Sequence, residues 1–234
     1  MKLLALAIAP GLAIMIYIFW KDKYDREPRK LLIWAFILGV LSIIPAVILE
    51  SMITRTGIVY TDSIIKTGIY SFAGIALIEE AVKFFVVFRF LYPKKDFNEP
   101  FDGITYCVMA SMGFATLENI AYTVDYGMAT GVLRMFTAVP AHAAFGVIMG
   151  YYMGLAKFNK EKSNTYLAYA LFIPSLLHAA YDFSLLLDDQ LLGWLKSYKI
   201  LGALITLIVA ILLSRRAIRI HQYNSPFNDR HEAA

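Results

Sequence analysis

Residues 64–88 read IIKTGIYSFAGIALIEEAVKFFVVF. A spanning helix needs about 20 mostly apolar residues, and this run is long enough. Yet it carries Glu79, Glu80 and Lys83. A charge at mid-bilayer costs roughly 2.5–3.5 kcal/mol on insertion scales, so such groups face a bundle interior and mark function. Six further stretches have the length and apolarity of spans: 3–20, 31–52, 101–124, 132–156, 166–187 and 192–213. The sequence therefore predicts an all-α fold, a polytopic membrane bundle of about seven transmembrane helices. Residues 1–220 form a single domain and 221–234 a short polar tail.

Composition agrees. Of 234 residues, 59% are hydrophobic and 17% charged, with mean hydropathy +0.59. Soluble domains are nearer ~45–50% apolar and ~25% charged. A disordered chain, a nucleic-acid-binding domain and most cytosolic enzymes are excluded. The net charge of +4 fits basic cytoplasmic loops. Lys21, Lys23, Arg26, Arg29 and Lys30 fill the first loop. Arg89, Lys94 and Lys95 follow in the third, and Lys157, Lys160 and Lys162 in the fifth. Arg215, Arg216, Arg219 and Arg230 lie in the tail. The opposite side has only Lys2, Arg55, Lys66, Arg134, Lys196 and Lys199. This bias predicts an N-terminus outside and a C-terminus in the cytoplasm. The basic cluster follows the first apolar run, which ends Tyr17-Ile18-Phe19-Trp20, so that run reads as a retained helix and not a signal peptide.

Ionisable groups recur in four spans. Glu79, Glu80 and Lys83 lie in the third, Glu118 and Asn119 in the fourth, His142 in the fifth, His178 and Asp182 in the sixth. Glu79 and Lys83 are i,i+4 on one helix face in the favourable order. Glu80 is turned about 100° away and has no partner in its own stretch. His178 and Asp182 are again i,i+4, so Asp182 can orient the ring. At 1.5 Å per residue, His142 and His178 lie ~15 and ~14 Å below their outer ends. A water-containing cavity, open outward or laterally to a substrate helix, follows. The alternatives are a structural ion pair for Glu79–Lys83 and helix–helix contacts for the rest. Gly146, Gly150 and Gly154 form a small-residue stripe suited to close helix approach. Asp102 reads as a helix N-cap, and Pro140 as a kink inside the fifth span.

Carboxylates and imidazoles in a water-poor pocket suit hydrolysis. A Glu can act as general base while Lys83 holds its neighbour ionised, and a His can donate to the oxyanion of an amide. The same residues also suit a catalytic zinc site, with His142, His178, Glu80 and Glu118 as ligands. Spacing does not choose between them. Two readings from other classes are a proton-coupled transporter and a non-catalytic membrane scaffold.

Glu79-Glu80-x-x-Lys83-Phe84, Phe114-x-x-x-Glu118-Asn119, His142 on a Gly-rich span and His178-x-x-x-Asp182 resemble the four motifs of the PrsW intramembrane protease family. That family is grouped with the CAAX prenyl endopeptidases and bacteriocin-processing enzymes, which carry His where this chain has Glu118. The resemblance implies a cell-membrane endopeptidase of Gram-positive bacteria. It would make the first, extracytoplasmic cut in a single-span anti-sigma factor, freeing a sigma factor in envelope stress. It implies glutamic-type water activation without a cofactor, zinc being the alternative. Glu79, Glu80 and His178 would be the first catalytic set, His142 and Glu118 the next, and Lys83, Asn119 and Asp182 supporting.

Overall fold

The computed structural model describes residues 2–57, 63–188 and 198–228. Helix α1 (Lys2–Lys21) is followed by α2 (Arg29–Arg55). The third rod is continuous but of two kinds: α3 (Ile64–Ile69), a π-helical stretch (Tyr70–Ala76) and α4 (Leu77–Phe90). Next come α5 (Pro100–Tyr126), α6 (Met128–Phe136), α7 (Ala138–Phe158), α8 (Ser163–Leu186) and, after a gap in the description, α9 (Lys199–Tyr223). No strand occurs among the described residues. The start of the predicted seventh span, 192–197, lies outside them.

Helix α5 is the axis of the bundle. Every residue from Phe101 to Thr116 is buried. Five helical stretches are long and apolar enough to cross a membrane by length and composition: Leu4–Lys21, Arg29–Arg55, Met128–Phe158, Lys160–Leu186 and Lys199–Tyr223. Helix α5 is not among them, and its position explains why. A helix wrapped in protein need not present apolar side chains to lipid. Helix α2 does face outward, with Ile33, Ile37, Leu41, Ile44 and Ile48 exposed.

Small residues let the neighbours reach this axis. A Cβ on Gly39 of α2 would lie 1.9 Å from the Ala110 carbonyl oxygen, and one on Gly113 of α5 2.1 Å from that of Phe36. On the other side the expected stripe packs against α5. Added Cβ atoms on Gly150 and Gly154 would meet the carbonyl oxygens of Gly103 and Pro100, both at 2.2 Å.

Two local readings are corrected. The predicted fifth span, 132–156, is broken: α6 ends at Phe136, Thr137 leaves helical geometry (φ −122°, ψ −74°) and α7 starts at Ala138. Pro140 thus lies in the first turn of α7, where its missing N–H costs nothing, and kinks no span. His142 is four residues into α7, about 6 Å along that helix from its start. Glu99, not Asp102, caps α5. Asp102 is the third residue of a reciprocal capping box, and its Oδ2 accepts from the Asn98 and Glu99 amides, each at 2.7 Å. The Asp102 side chain still serves the helix start, from inside it.

Candidate active site

The π-helical stretch ends three residues before Glu79. Such wide turns shift the register of the face that follows, and they often accompany functional sites. The next turn of α4 presents Glu79, Glu80 and Lys83, all buried. The Lys83 Nζ donates to Glu79 Oε2 at 3.1 Å and to Glu80 Oε1 at 2.8 Å. It also lies 3.1 Å from His142 Nδ1 and 4.1 Å from the centre of the Phe114 ring. An ammonium has three protons, and three acceptors surround this one. The expectation that Glu80 lacks a partner in its own stretch is corrected: Lys83, one turn on, pairs with it, and α8 adds His178 Nδ1 at 3.0 Å.

This arrangement fixes the two imidazoles. Since Lys83 has no lone pair to offer, His142 Nδ1 must accept. Its Nε2 then carries the proton and donates to Glu118 Oε2 at 2.9 Å. His178 has a carboxylate at each nitrogen, Glu80 at Nδ1 and Asp182 at Nε2, 3.3 Å away. The two rings meet edge to face, with centres 5.1 Å apart, and Phe145 stacks on His178 at 5.1 Å.

In front of these groups lies a cavity of ≈ 270 Å³. Glu79, Glu118, His142, His178 and Asp182 line it, and Glu80 does not. Leu133 and Arg134 of α6 and Thr137 line it from another side. The chemistry-bearing residues named from sequence therefore converge, apart from Asn119. That side chain is turned aside, donating to the Ala7 carbonyl at 3.1 Å and accepting from Arg134 Nε at 3.3 Å.

Two residues were missed. Arg134, counted only as a loop charge, pairs with Glu118 at 2.8 Å, and its guanidinium covers the Tyr122 ring at 3.9 Å. Nothing in its own stretch signals this, because the partner lies on the preceding helix. Glu50 closes the second apolar run and looks interfacial. Its Oε1 is nevertheless buried without a hydrogen-bond partner, and it interacts electrostatically with Glu79, Glu118, Lys83 and His178.

A family profile described as "PrsW family intramembrane metalloprotease" matches residues 27–214. The chain belongs to the PrsW family. A Protease PrsW of Geobacillus kaustophilus is 39% identical over 189 residues, covering 81% of this chain and 82% of that one. The Protease PrsW of Oceanobacillus iheyensis is 40% identical over 185 residues, covering 79% and 83%. That of Clostridioides difficile is 35% identical over 221 residues, covering 91% and 87%. No solved structure matches. This PrsW protein is thus a peptidase and a multi-pass protein of the cell membrane.

The family description raises the question of a metal. One ligand atom from each of Glu79, Glu80, His142 and His178 lies within 4.8 Å of the others. Glu79 stands here in place of Glu118, which the sequence reading had in the zinc set. Zinc binds such ligands at about 2.0–2.2 Å. Three of the four, however, already face the Lys83 ammonium at 2.8–3.1 Å. A dication in their midst would lie beside that ammonium, with strong repulsion. As arranged, the donor set does not fit a metal ion; the lysine holds the place of the cation.

Proposed function

We propose that this PrsW protein hydrolyses a single-span anti-sigma factor on the extracytoplasmic side of the membrane by glutamic-type water activation, the first cut in releasing a sigma factor during envelope stress. One observation carries the mechanism: Glu79 and His178 share a cavity wall while Lys83 and Glu80 lie behind them. Glu79 is the base. It takes a proton from a cavity water as the water oxygen bonds to the scissile carbonyl carbon. The carbonyl oxygen becomes the oxyanion, and His178 donates to it from Nε2, whose proton turns away from Asp182. The C–N bond then breaks and Glu79 returns its proton to the leaving amine. Glu80 holds the His178 ring through Nδ1, and the Lys83 ammonium bridges both glutamates. His142 and Glu118, with Arg134, complete the polar wall.

The extracytoplasmic placement rests on the loop charges. The apolar side chains lining the cavity, Ile75, Leu133, Leu185 and Leu186, suit a substrate helix entering from the bilayer. The test is purified protein in lipid with a candidate anti-sigma factor, assayed with and without chelator. Cleavage that survives chelator, and stops in the Glu79→Gln variant, is expected. Activity abolished by chelator and restored by zinc would replace this mechanism with the metal-dependent one.

A further inference from the structure

A second buried polar cluster lies far from the cavity. Along α5, Asp102 is sixteen residues before Glu118, about 24 Å at 1.5 Å per residue. Asp22 follows α1, Glu27 is in the first loop, and Glu99 and Asp102 open α5. All four are buried, none more than 4% exposed. One carboxylate oxygen from each of Asp22, Glu99 and Asp102 lies within 4.8 Å of the others. The Glu27 carboxyl is within hydrogen-bonding reach of Asp102.

The available donors do not satisfy these acids. The Glu27 amide donates to Asp22 Oδ2 at 3.3 Å, and the Asn98 and Glu99 amides serve Asp102 Oδ2. The Tyr106 hydroxyl donates to Glu27 and the Ser225 hydroxyl to Glu99. Asp22 Oδ1 and Asp102 Oδ1 remain buried without a partner. Two nearby cations are turned to backbone instead. Arg26 Nε donates to the Asp22 carbonyl at 3.3 Å, and Lys157 Nζ to the carbonyls of Tyr92 and Lys94. Among the described residues no ion pair reaches the four acids. Burial, with the neighbouring carboxylates, pushes Asp22 and Glu27 up to about 7.

Buried carboxylates facing one another without a counter-charge are costly, and a cation among them removes that cost. An all-oxygen set selects a hard ion. Magnesium demands near-ideal octahedral geometry and gives up its waters reluctantly, whereas calcium accepts an irregular set of carboxylate oxygens at about 2.3–2.6 Å, so a buried cage of carboxylates suits calcium better. We propose that Asp22, Glu99 and Asp102 bind a hard divalent cation, Ca²⁺ in preference to Mg²⁺, which ties the end of α1 and the first loop to the start of α5.

The test is calorimetric titration of the chelator-stripped full chain in lipid nanodiscs with Ca²⁺ and with Mg²⁺. One saturable Ca²⁺ per chain is expected, with melting temperature rising as Ca²⁺ is added. Asp22→Asn and Glu99→Gln should each weaken binding at least tenfold, while Glu80→Gln leaves it intact. No saturable binding of either ion would overturn the proposal. So would binding that survives both cluster variants and vanishes in Glu80→Gln, which would place the ion at the active site. Should either cluster variant fail to fold, wild-type protein with bound Mn²⁺ decides. A nitroxide at residue 95 should then be broadened far more than one at residue 128; the reverse order refutes the site.

Discussion

At the scale of the residue, Lys83 determines how the active site is built. Lys83 is 1% exposed, and its ammonium bridges two glutamates while fixing the His142 tautomer. Replacing one partner of a buried ion pair costs about 3–5 kcal/mol, because the other charge stays buried and unpaired. Lys83→Met should therefore lower the thermal midpoint in detergent sharply. A variant as stable as wild type would show that the glutamates find another counter-charge. The two glutamates divide differently. Glu79→Gln removes the proposed base and should lower kcat by about 10²-fold or more with KM little changed. Glu80→Gln leaves the base in place but loosens His178, so its loss should be accompanied by a shifted pH–rate profile. Equal pH profiles in Glu80→Gln and wild type would move Glu80 out of the positioning role.

The helices are held at distances that only glycine permits. Where α5 and α7 cross, Gly103 and Gly150 bring backbone against backbone: a Cβ on either would come within 2.4 Å of the other's carbonyl oxygen. Gly150→Ala must push the two helices apart. Overpacking of this kind costs about 1–3 kcal/mol, and because α7 carries His142, cleavage should fall together with stability. By contrast, Gly57 has nothing within 4 Å of an added Cβ, though its φ of +79° still strains any other residue. A Gly150→Ala protein with wild-type melting and activity would mean that this crossing relaxes freely. The break at Thr137 belongs to this scale too. It separates α6, whose Arg134 lines the cavity, from α7, which carries His142.

For the whole molecule, the orientation proposed from loop charge has a direct test. Cys107 is buried, so a single cysteine introduced at residue 160 in an otherwise unchanged chain reports sidedness. In intact cells it should resist an impermeant maleimide and react only after permeabilisation. Labelling from outside would invert the bundle and remove the extracytoplasmic cut. The sequence by itself determined the bundle and most of the charged groups that meet inside it. Apolar runs of about 20 residues have one stable solution in lipid, a helix that satisfies its own backbone. Charges inside such runs have one tolerable place, the protein interior; Glu79, Glu80, Lys83, Glu118, His142 and His178 could be named on that ground alone. Tertiary structure decided which of them touch. It gave Glu80 a second partner on α8, moved His142 close to a helix start, and recruited Arg134 and Glu50 from stretches that look like loop or interface. Periodicity reports which side chains leave the lipid, whereas contact between different helices depends on their crossing, and that is set by glycines packed against distant backbone.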